Sequence, residues 1–311
     1  MANTLFASEF KTSPWWWEAA EPPERNTPLP DHTPVAVIGG GYAGLSAALS
    51  LARLGHKVTV LDAERIGWGA SSRNGGMVSG GLKVARTALA EKLGAEQARN
   101  IAMAAAASFP FIEETIAREG IECDYTRCGR FVAAWTPKHY DALARQSDYI
   151  AEITGLPTEM LPPSRQHEAL GSSHYHGGMK AAATGSIHPG KYARGLAAAA
   201  ERAGANLVDN TRVAGIRADG SSFRIATNRG ELRADAVLVA TNGYSRGADG
   251  QSAMPWLARR MIPVASYIIS TEELPVETMD RLFPGRRMIS DTKRVLNYFR
   301  PFLEKPKTNL K

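Results

Sequence analysis

Cysteine is scarce in this chain of 311 residues, which has only Cys123 and Cys128. Two thiols cannot fill a four-ligand zinc site by themselves, and their spacing is not that of a C-x-x-C redox pair. They read as ordinary reduced cysteines, and no metal site is expected. Long apolar runs are missing too. The stretch Ile101–Ala107 is soon interrupted by Ser108 and Pro110, well short of the roughly 20 residues that span a bilayer. The N-terminus lacks the charged-then-apolar order of a secretory signal, so a cytoplasmic location is expected by default. Dense runs of one charge are also absent. The net charge is +6, but the nearest approaches to a basic cluster are Arg259-Arg260 and Arg286-Arg287. Neither has an aromatic platform interleaved, so a solvated surface tuned to anionic ligands is expected rather than nucleic-acid binding.

What is present is a globular composition, 44% hydrophobic and 22% charged, with length for two domains or one large one. The densest signal lies at residues 35–62. Val35-Ala36-Val37-Ile38-Gly39-Gly40-Gly41-Tyr42-Ala43-Gly44 runs into an apolar helix pattern, then Lys57-Val58-Thr59-Val60-Leu61-Asp62. The order is strand, glycine turn, helix, strand, acid. Gly39, Gly41 and Gly44 have the spacing of a dinucleotide-binding fingerprint: a tight turn, a close approach of backbone to a pyrophosphate, and helix packing on strand. The N-terminus of that helix, at Tyr42 and Ala43, offers unpaired N–H groups and a positive dipole end to phosphate. Asp62 falls about 20 residues past the glycines, where a carboxylate accepts hydrogen bonds from a ribose.

Around this unit the chain is uneven. Residues 1–34 are Pro-rich and non-periodic, and carry Trp15-Trp16-Trp17. Three exposed indoles would be costly, so they are expected to pack on the domain as an anchor. Residues 63–81 form a loop dense in Gly and Ser. Residues 87–119 read as helix broken near Pro110. Gly129–Trp135 and His174–Ala183 read as strand, and Pro137–Thr154 and Lys191–Ala203 as helix. Short strands are expected at Asn206–Val208, Arg212–Arg217, Phe223–Thr227, Glu231–Ala234, Ala236–Ala240, Val264–Ser270 and Arg294–Phe299. The strongly buried run Ala236–Ala240 comes far after Asp62, so the region between them looks like an insertion with its own mixed elements.

Three stretches then carry a resemblance: Val37–Gly44, Val60–Gly76 with its Gly67-Trp68-Gly69-Ala70-Ser71-Ser72-Arg73-Asn74-Gly75-Gly76 core, and Ala240-Thr241-Asn242-Gly243-Tyr244. They resemble the FAD-dependent oxidoreductase family of D-amino-acid oxidase, glycine oxidase and sarcosine oxidase. The bacterial γ-glutamylputrescine oxidoreductase-like branch is most similar, and Gly185–Tyr192 also resembles it. The loop after Asp62 disfavours a pyridine-nucleotide dehydrogenase. The resemblance implies an α/β fold: a Rossmann-like, glutathione-reductase-type FAD-binding domain with an inserted α+β substrate domain. It places an N-terminal extension at 1–34, the FAD domain at 35–86 and 184–247, and substrate-domain elements at 87–183 and 248–311.

The resemblance further implies non-covalent FAD, since the Ser71–Gly76 loop has no His or Cys to link a flavin. Gly39, Gly41, Tyr42, Ala43 and Gly44 would hold the pyrophosphate and Asp62 the adenosine ribose. Ala70, Ser71, Ser72, Arg73, Asn74 and Gly75 would run beside the pyrophosphate, ribityl chain and ring. Val213 would meet the adenine through its backbone, and Thr241, Asn242 and Gly243 would close over the cofactor. The implied reaction oxidises a C–N bond of an amine or amino acid, a γ-glutamylated polyamine being one candidate, with oxygen or another acceptor taking the electrons. Arg73 and His188 are the catalytic candidates, with a helix cap as the other reading of His188. Tyr244 and Tyr267 are pocket walls or packing residues. The chain departs from the family late: Gly285 is the only glycine after Gly250, where the family returns with a glycine-rich segment against the flavin. The expectation is therefore a C-terminally truncated flavoenzyme, with a catalytically silent FAD-binding remnant or partner subunit as the alternative.

Overall fold

The computed structural model describes residues 11–82, 86–247, 250 and 252–302. The described residues fall into two compact units: those within 11–74, 118–123 and 188–270 form one, and those within 75–117, 124–187 and 271–302 the other.

The first unit is built on a six-stranded sheet. Its order is Asn206–Val208, Val58–Leu61, His32–Ile38, Gly230–Val239, Ser222–Thr227, Val213–Asp219. The first four strands run parallel and the last two join as an antiparallel meander. Every residue of Val58–Leu61 is buried, as a central parallel strand covered on both faces requires. Register sets Val35 beside Val58 on one side and Ala236 on the other, and Ile38 beside Leu61 and Val239. The core on one face gathers Ala36, Ile38, Leu61, Val208, Ile225, Leu232 and Ala234. The two long helices described in this unit are Tyr42–Arg53 and the Ala-rich Pro189–Arg202, beside the four-residue helices Trp17–Ala20 and Pro255–Ala258. The second long helix starts with Pro189 at its first position, where the missing N–H costs nothing.

The second unit has a five-stranded sheet ordered Tyr298–Phe299, Met288–Asp291, Arg130–Ala133, Gly178–Ala181, Thr158–Leu161. Only Met288–Asp291 and Arg130–Ala133 are parallel. Phe131, Ala133, Leu161, Ala169, Leu170 and Ile289 form its core. Helix Pro137–Thr154 matches its sequence bounds because both ends are signalled. Thr136 accepts from His139 N–H, and Gly155 closes the helix at φ +65°, a conformation that favours glycine.

Several expectations are corrected. Glu231–Ala234 and Ala236–Ala240 are one strand, Gly230–Val239. Residues 86–119 break at Gly94 and Ala107 rather than at Pro110. Pro110 sits in the first turn of Ser108–Glu119, where proline is tolerated. Only Tyr298–Phe299 of Arg294–Phe299 is strand. Val264–Ser270 forms no strand, and Ile262, Val264, Tyr267 and Ile269 are 87–91% exposed. A strand needs a neighbour for its ladder, so β-branched composition alone does not make one. The unit limits also depart from the expected domain limits. Residues 77–79 join the second unit because they pair with Thr184–Ser186. Residues 118–123 join the first, where a Cβ on Gly195 would meet the Ile121 side chain at 2.5 Å. Residues 250 and 252–270 also group with the first unit.

Leu232 is fully buried and Ile262 is 88% exposed. Leu232→Ala is expected to cost about 2–5 kcal/mol of stability, and Ile262→Ala less than about 0.5 kcal/mol. Chemical denaturation of the two variants beside the parent chain checks this. An equal cost at both positions would show that residues 262–269 are packed.

Candidate functional site

The turn after His32–Ile38 and the first turn of the helix that follows carry Gly39, Gly41 and Gly44, each required for a different reason. Gly39 adopts φ +107°, and a Cβ there would stand 2.7 Å from the Ala240 carbonyl oxygen. Gly39 N–H donates to Leu61 O at 2.8 Å, and Ala240 N–H donates to Ile38 O at 2.8 Å. Residues 240–243 are thereby brought against the turn. Gly44 is crowded by backbone, since a Cβ would lie 1.9 Å from Gly39 O. Gly41 has an ordinary φ of −86°. A Cβ on it would meet one atom, Ser71 Oγ, at 2.9 Å. That same Oγ accepts from Tyr42 N–H at 2.9 Å. The first amide of helix Tyr42–Arg53 is thus met by the Ser71 hydroxyl, and the Gly41 N-cap supplies no side-chain cap.

Asp62 closes the turn from below. Its Oδ2 accepts from Gly40 N–H at 2.7 Å and its Oδ1 from Glu64 N–H at 3.0 Å. Burial pushes its carboxyl up to about 6; the two backbone donors oppose that shift, and the neighbouring Asp209 and Glu64 add to it. Each carboxylate oxygen retains a second lone pair beyond these bonds. Residues 209–213 run alongside, with Thr211 N–H donating to Asp62 O at 2.6 Å and Asn210 N–H to Glu64 O at 2.9 Å. Val213 opens its strand opposite Thr227, next to an irregularity in the register.

The loop after Asp62 is tied internally and from the N-terminus. Asn74 Nδ2 donates to Ala70 O and Ser71 O, each at 3.1 Å, and to Tyr42 Oη at 3.3 Å. Tyr42 Oη in turn donates to Pro189 O at 3.3 Å, and burial raises the Tyr42 phenol above its usual range. Ser72 is fully buried and accepts from Trp17 Nε1 at 2.9 Å. Arg73 lies between two indoles, its Cζ 4.0 Å from the Trp68 ring centre and 4.6 Å from that of Trp17. Its Nε donates to Trp68 O at 2.7 Å, and burial lowers the guanidinium from its ordinary range. Gly75 belongs to the second unit, where a Cβ would stand 3.1 Å from the Tyr298 ring.

Among the expected residues, Gly39, Gly41, Tyr42, Ala43, Gly44, Asp62, Ala70–Asn74, Val213 and Thr241–Gly243 all lie in the first unit. The bonds above bring the turn, Asp62, Ser71 and Ala240 together. Asn242 holds φ +46°, and Thr241 Oγ1 lies 2.7 Å from Ser245 Oγ. His188 is 2% exposed, and its Nδ1 accepts from Lys191 N–H at 3.2 Å, capping Pro189–Arg202. Tyr244 is 54% exposed with its ring 6.3 Å from Trp68, and Tyr267 is 91% exposed. Neither lines an enclosed pocket wall as placed.

Asp209 is the residue that motif reading passed over. It is fully buried, with Oδ1 accepting from Ile66 N–H at 2.9 Å and Oδ2 from Arg25 N–H at 2.8 Å. A lone acid directly after the apolar Leu207-Val208 is the only local signal for it. Among the described residues no group of three or more His, Cys, Asp or Glu is placed to hold a metal, and no helix is long and apolar enough to cross a membrane.

Comparison with known proteins supplies the family. The FAD-dependent oxidoreductase profile, DAO, matches residues 34–307. A probable oxidoreductase OrdL of Rhizobium meliloti is 33% identical over 293 residues, covering 92% of this chain and 66% of the relative. A gamma-glutamylputrescine oxidoreductase of Escherichia coli is 32% identical, covering 86% of this chain and 61% of the relative. The chain thus spans somewhat under two thirds of the length of these curated relatives. Among solved structures, glycine oxidase from Geobacillus kaustophilus superposes with a TM-score of 0.57 at 28% identity, over 69% of this chain and 56% of that one. The glycine turn, the acid after the second strand and the Ser-rich loop thus sit within a matched region of 274 residues from 34 to 307, and the chain belongs to the DAO family of FAD-dependent oxidoreductases.

Proposed function

We propose that the first unit holds FAD along residues 39–44, 62 and 70–74, and that the protein oxidises the C–N bond of a small amine or amino acid. The observation that carries this reading is the approach to Gly41. Among the described residues and apart from chain neighbours, the site of its missing Cβ has only the Ser71 hydroxyl within 4 Å. Backbone N–H groups and a hydroxyl at a helix N-terminus are the donor set a pyrophosphate needs. Asp62, on the far side of the turn, has acceptor capacity left for ribose hydroxyls. Val213 and Thr241–Gly243 complete the proposed cofactor residues of this unit, and Ala240 already abuts the turn.

Bound FAD supplies the oxidant, accepting a hydride from the carbon beside the substrate nitrogen. The chain's contribution to that step is alignment and selection of the neutral amine, for which no strong base is needed. Arg73, held between two indoles, and His188, engaged as a helix cap, act here as positioning residues. A γ-glutamylated polyamine is the finer substrate proposal. It rests on the 32% identity to gamma-glutamylputrescine oxidoreductase. Oxygen or a second acceptor would then take the electrons. The exposed apolar run at Ile262, Val264, Tyr267 and Ile269 favours a second reading, an FAD-binding chain that does not turn over alone.

The following outcomes are expected. Heating the purified protein should release FAD, identified by chromatography. Gly41→Val should abolish its retention without unfolding the chain, because the new side chain meets a hydroxyl and not backbone. Recovery of NAD, or of FAD unaffected by the substitution, would count against the site. Asp62→Ala should weaken FAD binding by roughly 1.5–3 kcal/mol, the scale of hydrogen bonds to a charged group. The sign with pH follows from the raised carboxyl. The charged acceptor exists above about pH 6 and is lost below it, so FAD affinity should fall as pH drops from 7 to 5. Asp62→Asn should flatten that dependence, as read by flavin fluorescence titration. Finally, anaerobic addition of amines and amino acids should bleach the flavin. Retained FAD that no amine bleaches would favour the non-catalytic reading.

A further inference from the structure

The Trp15-Trp16-Trp17 motif has no part in the site as proposed, yet two of its indoles end on the cofactor loop. Trp17 Nε1–H donates to Ser72 Oγ at 2.9 Å, and Ser72 is fully buried. The Trp17 ring also forms one face of the slot that holds the Arg73 guanidinium, with Trp68 as the other. Trp16 is 8% exposed and its Nε1–H donates to Asn74 O at 3.0 Å. Its ring stands edge-on to His188, 4.8 Å between centres. Residues 72, 73 and 74 are thus each engaged by the indole pair, two through an N–H and one through a ring face. The extension itself is fixed independently, by Arg25 N–H on Asp209, just past strand Asn206–Val208, and by the Arg25 side chain on Glu201 of helix Pro189–Arg202 at 2.7 Å. Stable attachment of the extension therefore does not require the indoles to reach the loop.

We infer that Trp16 and Trp17 form a positioning clamp for FAD, setting the loop 70–74 so that Ser71 meets the N-terminus of helix Tyr42–Arg53. The inference rests on the proposed cofactor site. The clamp acts through two hydrogen bonds joined by the chain between Ser72 and Ser71. Trp17 fixes Ser72, which fixes the adjacent Ser71, whose hydroxyl accepts from Tyr42 N–H. Trp16 fixes Asn74, whose amide recloses on Ala70 O, Ser71 O and Tyr42 Oη. Loss of either indole N–H leaves the same loop fold available but less restricted, and binding then bears the ordering cost that the clamp removes in advance. The Trp17–Arg73–Trp68 stack adds a cation–π restraint that phenylalanine at 17 would retain and alanine would not.

The test uses the full chain and FAD titration, with amide exchange of the apoprotein as the readout that needs no cofactor. Trp17→Phe should weaken FAD binding roughly fivefold, the scale of one hydrogen bond. Trp17→Ala, which also loses the stack, should weaken it roughly thirtyfold. In both apoproteins the Tyr42 amide and those of residues 71–74 should exchange faster than in the parent. Glu201→Ala is the control: it frees the extension's outer tie and should lower the unfolding temperature with FAD affinity unchanged. Parent-like exchange at Tyr42 and parent-like FAD affinity in Trp17→Phe and Trp17→Ala would overturn the clamp. So would an affinity loss in Glu201→Ala that matches the Trp17 variants. Gly41→Val in the same titration separates the two ideas. If it loses FAD while the Trp17 variants do not, the clamp fails and the site stands. If none of the variants changes FAD affinity, both fail.

Discussion

A Cβ on Gly44 would lie 1.9 Å from the carbonyl oxygen of Gly39, and everything proposed for the first unit depends on that contact between backbones. Any other residue at 44 would push helix Tyr42–Arg53 away from the strand His32–Ile38. The helix could then no longer aim its N-terminus across the end of the sheet. With the glycine in place, the helix begins at Tyr42, directly after the turn. Its first amide meets Ser71 Oγ, and its dipole end points where an anion is stabilised. The turn is pinned from both neighbouring strands as well, through Leu61 O and Ala240 N–H. It is a rigid feature shared by three parallel strands rather than a loop free to adjust.

Two buried or half-buried carboxylates hold the surroundings of that turn, and they work in the same way. Asp62 and Asp209 each take two backbone N–H donors from different segments: Gly40 and Glu64 for one, Ile66 and Arg25 for the other. A carboxylate with two donors bridges chain segments that no ladder connects. Burial raises both carboxyls above their ordinary values, so each bridge is made at the expense of solvation. In Asp62 the same group that fastens the turn remains able to accept from a ligand. Structural demands and the proposed binding role therefore coincide on one side chain.

The N-terminal extension shows how a segment whose only helix is the single turn Trp17–Ala20 can still be specific. Its Pro-rich stretch donates Arg25 N–H to Asp209, and its carbonyl at Thr27 accepts from Arg229 Nη2 at 3.0 Å. Its indoles reach forward to residues 72–74. Aromatic rings with an N–H at one end suit this position, since the ring can be buried while the donor finds a partner. The anchor expected from the cost of exposing three indoles is present for Trp16 and Trp17, but it lands on the loop and not on a neutral stretch of surface.

How far the sequence alone reached is clearest by comparing particular residues. The strand-turn-helix-strand-acid order at 35–62 and the helix Pro137–Thr154 were legible because each rests on local chemistry: glycine at positions of close approach, Thr136 as a cap, Gly155 at positive φ. Asn206–Val208 was also legible as a strand, but its place beside Val58–Leu61 was not, because partner choice lies outside any short window. Val264–Ser270 has the composition of a strand and forms none among the described residues. Composition cannot supply the neighbour whose N–H and C=O groups would complete a ladder. His188 and Arg73 carried catalytic chemistry as residue types. Tertiary contacts gave one a helix to cap and the other two indoles to lie between. Asp209 and the reach of Trp17 to Ser72 were decided only by folding, since their partners are 143, 184 and 55 residues away in sequence. Local rules thus determined which backbone can approach a dinucleotide, while the tertiary structure decided which side chains hold that backbone in place.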